Sequence, residues 1–157
     1  MVNKMTVDYR KRIMLFVGVL IFSLFLVSCS KTQDVLKINL KDHSGLALHI
    51  HPTLEIDILG EKQIIPAELG REGNMMRVIH GHDDSGTLHV ESPYPHQFYL
   101  QDVFTIWGKN FNSTCIFDKC VDDQHTLKVY LNDIEDQRFG AIPLHDLDKI
   151  KIVYEKK

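Results

Sequence analysis

The chain is predicted to fold as an α+β domain that is mainly β, an antiparallel-rich sheet with one packed helix; a small β-barrel or sandwich is the alternative. Three observations support this. From Leu46 onward, apolar and polar residues alternate in short runs, which is the period of half-buried strands. The runs are separated by Gly, Pro, Asn and Asp, the residues of turns. One stretch alone has clear helical spacing: Leu100, Val103, Phe104 and Trp107 fall on one stripe, and Gly108 can close the helix.

The start of the chain is not domain material. Arg10-Lys11-Arg12 precedes residues 13–27, an apolar run without charge, and Leu26-Val27-Ser28-Cys29 closes it. This order resembles the signal peptide of bacterial lipoproteins. The resemblance implies that residues 1–28 are removed and that Cys29 is lipidated and becomes the new N-terminus. Residues 29–37 then form a lipidated tether, and residues 38–157 a single β-rich globular domain. A retained N-terminal anchor is the alternative, because residues 13–30 make an 18-residue run, near the lower limit for spanning a bilayer. In both cases the basic residues stay inside. The domain is therefore expected in the cell envelope, outside the cytoplasmic membrane and anchored to it.

Processing changes the charge. The chain has 18 Lys and Arg against 21 Asp and Glu. Loss of Lys4, Arg10, Lys11, Arg12 and Asp8 leaves 14 against 20, a net charge of −6. Nucleic acid needs a basic footprint and is excluded as a partner. Cations remain compatible.

The elements follow in order. In residues 46–51, Leu48 and Ile50 face one side and Ala47, His49 and His51 the other, until Pro52 interrupts the ladder. Leu54, Ile56 and Ile58 mark a second strand, Gly60-Glu61-Lys62 a turn, and Gln63-Ile64-Ile65-Pro66 a short return strand. Residues 66–70 form a turn and Arg71-Glu72-Gly73-Asn74 a loop. Residues 78–91 read as strand, turn, strand. Asp83-Asp84-Ser85-Gly86 is the turn, and Thr87, His89 and Glu91 alternate with Leu88 and Val90. Ser92-Pro93-Tyr94-Pro95-His96 connects to the helix. Strands at 126–131, 138–142 and 149–154 follow, with turns at Asn132-Asp133 and 143–148. Ile150, Ile152 and Tyr154 share one face of the last strand. This ending resembles small β-grasp domains, in which a last Ile-rich strand completes a sheet over one helix.

Three cysteines are present. With Cys29 carrying lipid, Cys115 and Cys120 are left as a disulfide pair in an oxidising compartment. A pair of thiolate metal ligands is the alternative, a weak zinc signal without a second such pair. Asn112-Ser113-Thr114 fits a glycosylation acceptor.

The chain carries nine histidines, and five of them, His49, His51, His80, His82 and His89, lie in or beside three predicted strands. Residues i and i+2 of a strand point the same way. His49-Ile50-His51 and His80-Gly81-His82 therefore each present two imidazoles on one face, provided Gly81 keeps its strand extended. Two such pairs on adjacent strands would make a divalent-metal site, for Zn or Cu, from His49, His51, His80 and His82, with His89 as a fifth or exchange ligand. Asp83, Asp84, Glu91 and Glu55 are candidates to complete the shell or orient the rings. His43, His96, His125 and His145 read as loop or surface residues.

Three family resemblances bear on these residues. Gly45, His49, His51, Glu55 and Gly60 resemble the first cupin motif, which implies Glu55 as a ligand and a metalloenzyme acting on a small molecule. His80-x-His82-x-Asp84 resembles the metallo-β-lactamase signature. Its closing histidine is Ser85 here and the chain is too short for that fold, which excludes it. Thirdly, the run from His49 to Gly108, with its His-x-His-Pro-x-Leu-Glu-Ile, His-x-His-Asp-x-x-Gly-x-x-His-Val-Glu and Trp-Gly motifs, resembles a family of prokaryotic exported or membrane-anchored proteins of uncharacterised activity. A further reading is a non-catalytic envelope interaction module with a protein partner and pH-responsive histidines. An exposed apolar patch around Tyr94, Phe98 or Tyr99 would favour it.

Overall fold

A computed structural model describes residues 34–157; the expected leader, Cys29 and the start of the tether lie outside them. Before the helix the chain passes through β1 (Leu48–Ile50), β2 (Thr53–Ile58), β3 (Glu61–Gln63), β4 (Arg71–Glu72), β5 (Met75–Met76), β6 (Ile79–His80) and β7 (His89–Ser92). The helix is α1 (Leu100–Trp107). After it come β8 (Cys115–Ile116), β9 (Lys119–Cys120), β10 (His125–Leu131), β11 (Ile134–Glu135) and β12 (Lys149–Lys156). The class is α+β and mainly β, as the alternating runs predict. The sheets are open, not closed into a barrel.

The main sheet has the order β11-β10-β12-β2-β3. β12 lies at its centre, parallel to β2, with Ile152 opposite Ile56, and antiparallel to β10, with Ile152 opposite Val129. A hairpin stands on each side. Leu59 and Gly60 turn the first at φ 58° and 87°, and Asn132 and Asp133 turn the second at φ 52° and 69°. Two successive positive φ values are the geometry that matches strand twist in tight hairpins. The last strand thus sits between the first and the third of this sheet.

Alternation fixes which face is buried. Leu54, Ile56, Val129, Ile150, Ile152 and Tyr154 enter one core with Leu100, Val103 and Phe104 of α1. Each large apolar side chain buried there contributes about 1.5–3 kcal/mol. The helix has the bounds that the stripe predicts. Asp102 accepts the Tyr99 N–H at 2.8 Å at its start, and Gly108, at φ 68°, closes it. Among the described residues no helix is long and apolar enough to cross a membrane.

Four expectations change. Residues 138–142 are not a strand; Phe139–Ala141 is a 3₁₀ turn with Phe139 at φ 50°. The helix takes the place of a ladder partner: Leu100 N–H donates to the Ile142 carbonyl, and Gly140 lies against Gln101. Residues 71–76, expected as a loop up to Asn74, form the small hairpin β4–β5. The return strand is β3, which begins two residues earlier than expected, and Ile64 lies outside it and exposed. Residues 34–37, inside the stretch read as a tether, form a 3₁₀ turn capped by Asp34, with Val35 and Leu36 packed against the core. The Cys115–Cys120 pair is a disulfide across β8 and β9.

Candidate metal centre

A second sheet, of three short strands, carries the histidines. Its order is β1-β7-β6, so β7 is central. Its register sets His49 opposite Glu91 and His80 opposite His89. Directly opposed residues of an antiparallel pair share a face, with Cβ atoms about 4.5–5.5 Å apart. Along β7, His89 and Glu91 are two apart and share that face too. One face therefore collects His49, His80, His89 and Glu91, while Ile79 and Val90 on the other are fully buried in the core. His51 arrives as the next same-side residue after His49. His82 arrives differently: β6 ends at His80, and His82 lies in the loop beyond it.

The two edge segments are held by unlike means. Leu54 N–H donates to the Gly86 carbonyl at 2.8 Å, and Leu88 N–H to the Pro52 carbonyl at 2.9 Å, so the 83–88 turn is fastened to the start of β2. Gly86 has φ 87°, and a Cβ there would overlap the Leu54 carbonyl oxygen. On the other side Gly70, at φ 69°, lets the 66–70 turn pack directly on the backbone of Ile79 and His80.

All five predicted histidines come together. Ring centroids lie 4.5 Å apart for His49 and His51, 4.9 Å for His80 and His82, 4.7 Å for His51 and His89, and 4.5 Å for His82 and His89. They do not form one ring of four with an accessory fifth, as the spacing suggested. They form two triads, His49–His51–His89 and His80–His82–His89, each with ligand nitrogens within 4.8 Å of one another. His89 belongs to both. Its central place follows from β7 being the middle strand, which the sequence pattern does not reveal.

His80 forms the floor, at 1 % exposure, and His49 the rim, with its side chain 47 % exposed. His80 Nδ1 lies 3.0 Å from the Arg77 carbonyl, which can only accept, so Nδ1 carries the proton and Nε2 keeps its lone pair. That Nε2 lies 3.2 Å from His82 Nε2. Burial pushes the His80 pKa down to about 4, against the opposing pull of the Arg77 carbonyl and Glu91. Burial, and then the neighbouring His82 and His51, also lower that of His89. Both rings are thus kept in the neutral, ligating form near neutral pH. Glu91 Oε1 sits 3.1 Å from His49 Nε2 and 3.8 Å from His89 Nδ1, and is the one predicted carboxylate within this cluster.

The other three carboxylates have local duties. Asp84 Oδ1 accepts the Ala67 N–H at 2.9 Å, and Asp83 Oδ1 the Ser85 N–H at 2.9 Å; the Ser85 bonds hold the Asp83 pKa low. Glu55 lies on β2 in the main sheet, 3.1 Å from Lys151 Nζ and 3.3 Å from Lys62 Nζ, which hold its pKa low. The arrangement that the cupin motif implies, with Glu55 beside His49 and His51, is not formed, because past the break at Pro52 β2 pairs in the main sheet while β1 stays in the three-stranded one. His43, His96, His125 and His145 stand outside both triads; His125, for instance, pairs with Asp122 at 2.9 Å.

Two partners of the cluster carried no signal in the sequence. Asp146 Oδ1 accepts the His51 N–H at 2.8 Å and lies 3.7 Å from His51 Nδ1. The Arg77 carbonyl is backbone, and no side-chain pattern marks it. No family model, no curated protein and no solved structure matches the chain.

Proposed function

We propose that this is a lipid-anchored protein of the cell envelope, outside the cytoplasmic membrane, that binds divalent zinc or copper at the five-histidine cluster. One observation carries the metal reading: imidazoles from three separate segments converge on one sheet face, with His80 Nε2 and His82 Nε2 3.2 Å apart. Two nitrogens bound to one tetrahedral ion at about 2.0–2.1 Å would be spaced by about 3.3 Å. The Arg77 carbonyl behind His80 is the kind of outer partner that fixes a ligating ring. Nitrogen donors suit zinc and divalent copper, whereas thiolates and thioethers select monovalent copper. The leader motif before Cys29 supports the anchor, and the Cys115–Cys120 disulfide suits an oxidising compartment.

The test uses the full-length chain purified in detergent, equilibrated with zinc or copper and desalted. At least stoichiometric metal is expected, and less in the His80→Ala/His82→Ala double variant than in the wild type. An empty wild type, or a metal content unchanged in the double variant, refutes the assignment. Incorporation of labelled fatty acid that disappears in Cys29→Ala tests the anchor.

A further inference from the structure

We infer that the cluster takes two divalent ions, not one, with His89 as a bridging imidazolate between them. The inference rests on the metal-binding reading and specifies it further. Five imidazoles exceed the four positions of a tetrahedral ion. They are also divided: β1 and β6 flank β7 on opposite sides, so His49 and His51 approach His89 from one side and His80 and His82 from the other. Each pair forms a complete triad with His89, and neither triad includes a ring of the other pair.

An imidazole has two ring nitrogens, each able to bind an ion once it has lost its proton. His89 Nδ1 is turned toward Glu91 Oε1, the carboxylate that also meets His49 Nε2. That side is the His49–His51 side. Nε2 is left for the His80–His82 side. The chemistry balances simply. Neutral His89 binds the first ion through one nitrogen and keeps its N–H on the other. The second ion displaces that remaining proton to solvent, and the ring bridges as an anion. Each ion then has three imidazole ligands and a further position for water, with Glu91 next to the first.

The probe is divalent copper added to the full-length chain in detergent, with copper content measured beside the electron paramagnetic resonance signal. Two coppers per chain are expected, with a signal well below that of two isolated ions, because a bridged pair couples its spins. His51→Ala and His82→Ala change residues at the rim and disturb the fold least. Each should bind one copper with a full, uncoupled signal. Saturation at one copper in the wild type, or two coppers with full intensity, overturns the bridge and leaves the metal-binding reading intact. No retained copper or zinc overturns both.

Discussion

Asp146 accepts the backbone N–H of His51 at 2.8 Å, across a sequence separation of 95 residues. The bond fixes the chain where β1 ends, just before Pro52, and so sets where the His51 ring stands. Asp146 touches no other histidine of the cluster, so it acts through His51 as a positioning residue. Asp146→Ala is expected to weaken zinc binding by about 10–100-fold, the usual loss when an outer partner of a ligand is removed. Asp146→Asn keeps an acceptor oxygen and should restore most of the affinity. Competition titration with a chromophoric chelator measures both, and equal losses in the two variants would show that the backbone bond is irrelevant.

The stability of the metal-free protein should fall as the medium becomes acidic. His80 has a pKa of about 4 when folded, against about 6.5 for an unperturbed ring. Between those values the unfolded chain takes up a proton that the folded chain refuses. The contribution of His80 is therefore whole above about pH 6.5 and lost progressively on descent to about pH 4, a total of up to about 3 kcal/mol. His89 shifts in the same direction and adds to the slope. Urea midpoints measured in chelator from pH 7.5 to 4 should drop steeply for the wild type and less for His80→Gln. Parallel curves would place the acid sensitivity elsewhere.

Glu55 is expected to be irrelevant to metal. It lies on the main sheet between Lys62 and Lys151, partly exposed. Glu55→Gln should leave metal content and affinity unchanged and cost less than about 1 kcal/mol, as surface ion pairs do. A loss of metal in this variant would revive the ligand set implied by the cupin motif.

Gly86 is expected to tolerate no side chain. Its φ of 87° and its contact with the Leu54 carbonyl both oppose a Cβ. A positive φ at a non-glycine residue costs about 1–3 kcal/mol, and the overlap adds to it. Gly86→Ala should lower thermal stability and also weaken metal binding, since the 83–88 turn leads into His89. Gly45→Ala, which meets open space, is the control and should do neither.

Much of this arrangement was legible because it is local. Leu100, Val103, Phe104 and Trp107 define the helix, and Gly108 ends it where a left-handed residue is needed. Alternation along Thr87, His89 and Glu91 assigns those side chains to one face, and the His-x-His spacing does the same for His49 and His51. Non-local facts were hidden. Which strand lies in the middle of a sheet is decided by pairings between distant segments, so the shared position of His89 had no signature. The same holds for Asp146, brought to His51 by the turn before β12. His82 reached its place by a loop, although strand periodicity was the argument for it. Phe139 shows a local rule overruled, because α1 docks where a strand would need a partner.

The parallel pairing of Ile152 with Ile56 has a consequence for biosynthesis. The middle strand of the main sheet, β12, is made after every other strand of that sheet. Until it emerges, β2 and β10 have no neighbour between them, and the turn that bears Asp146 has no anchor. It also means that deleting residues 149–156 would remove the strand that joins β2 to β10 and scatter the histidines with it.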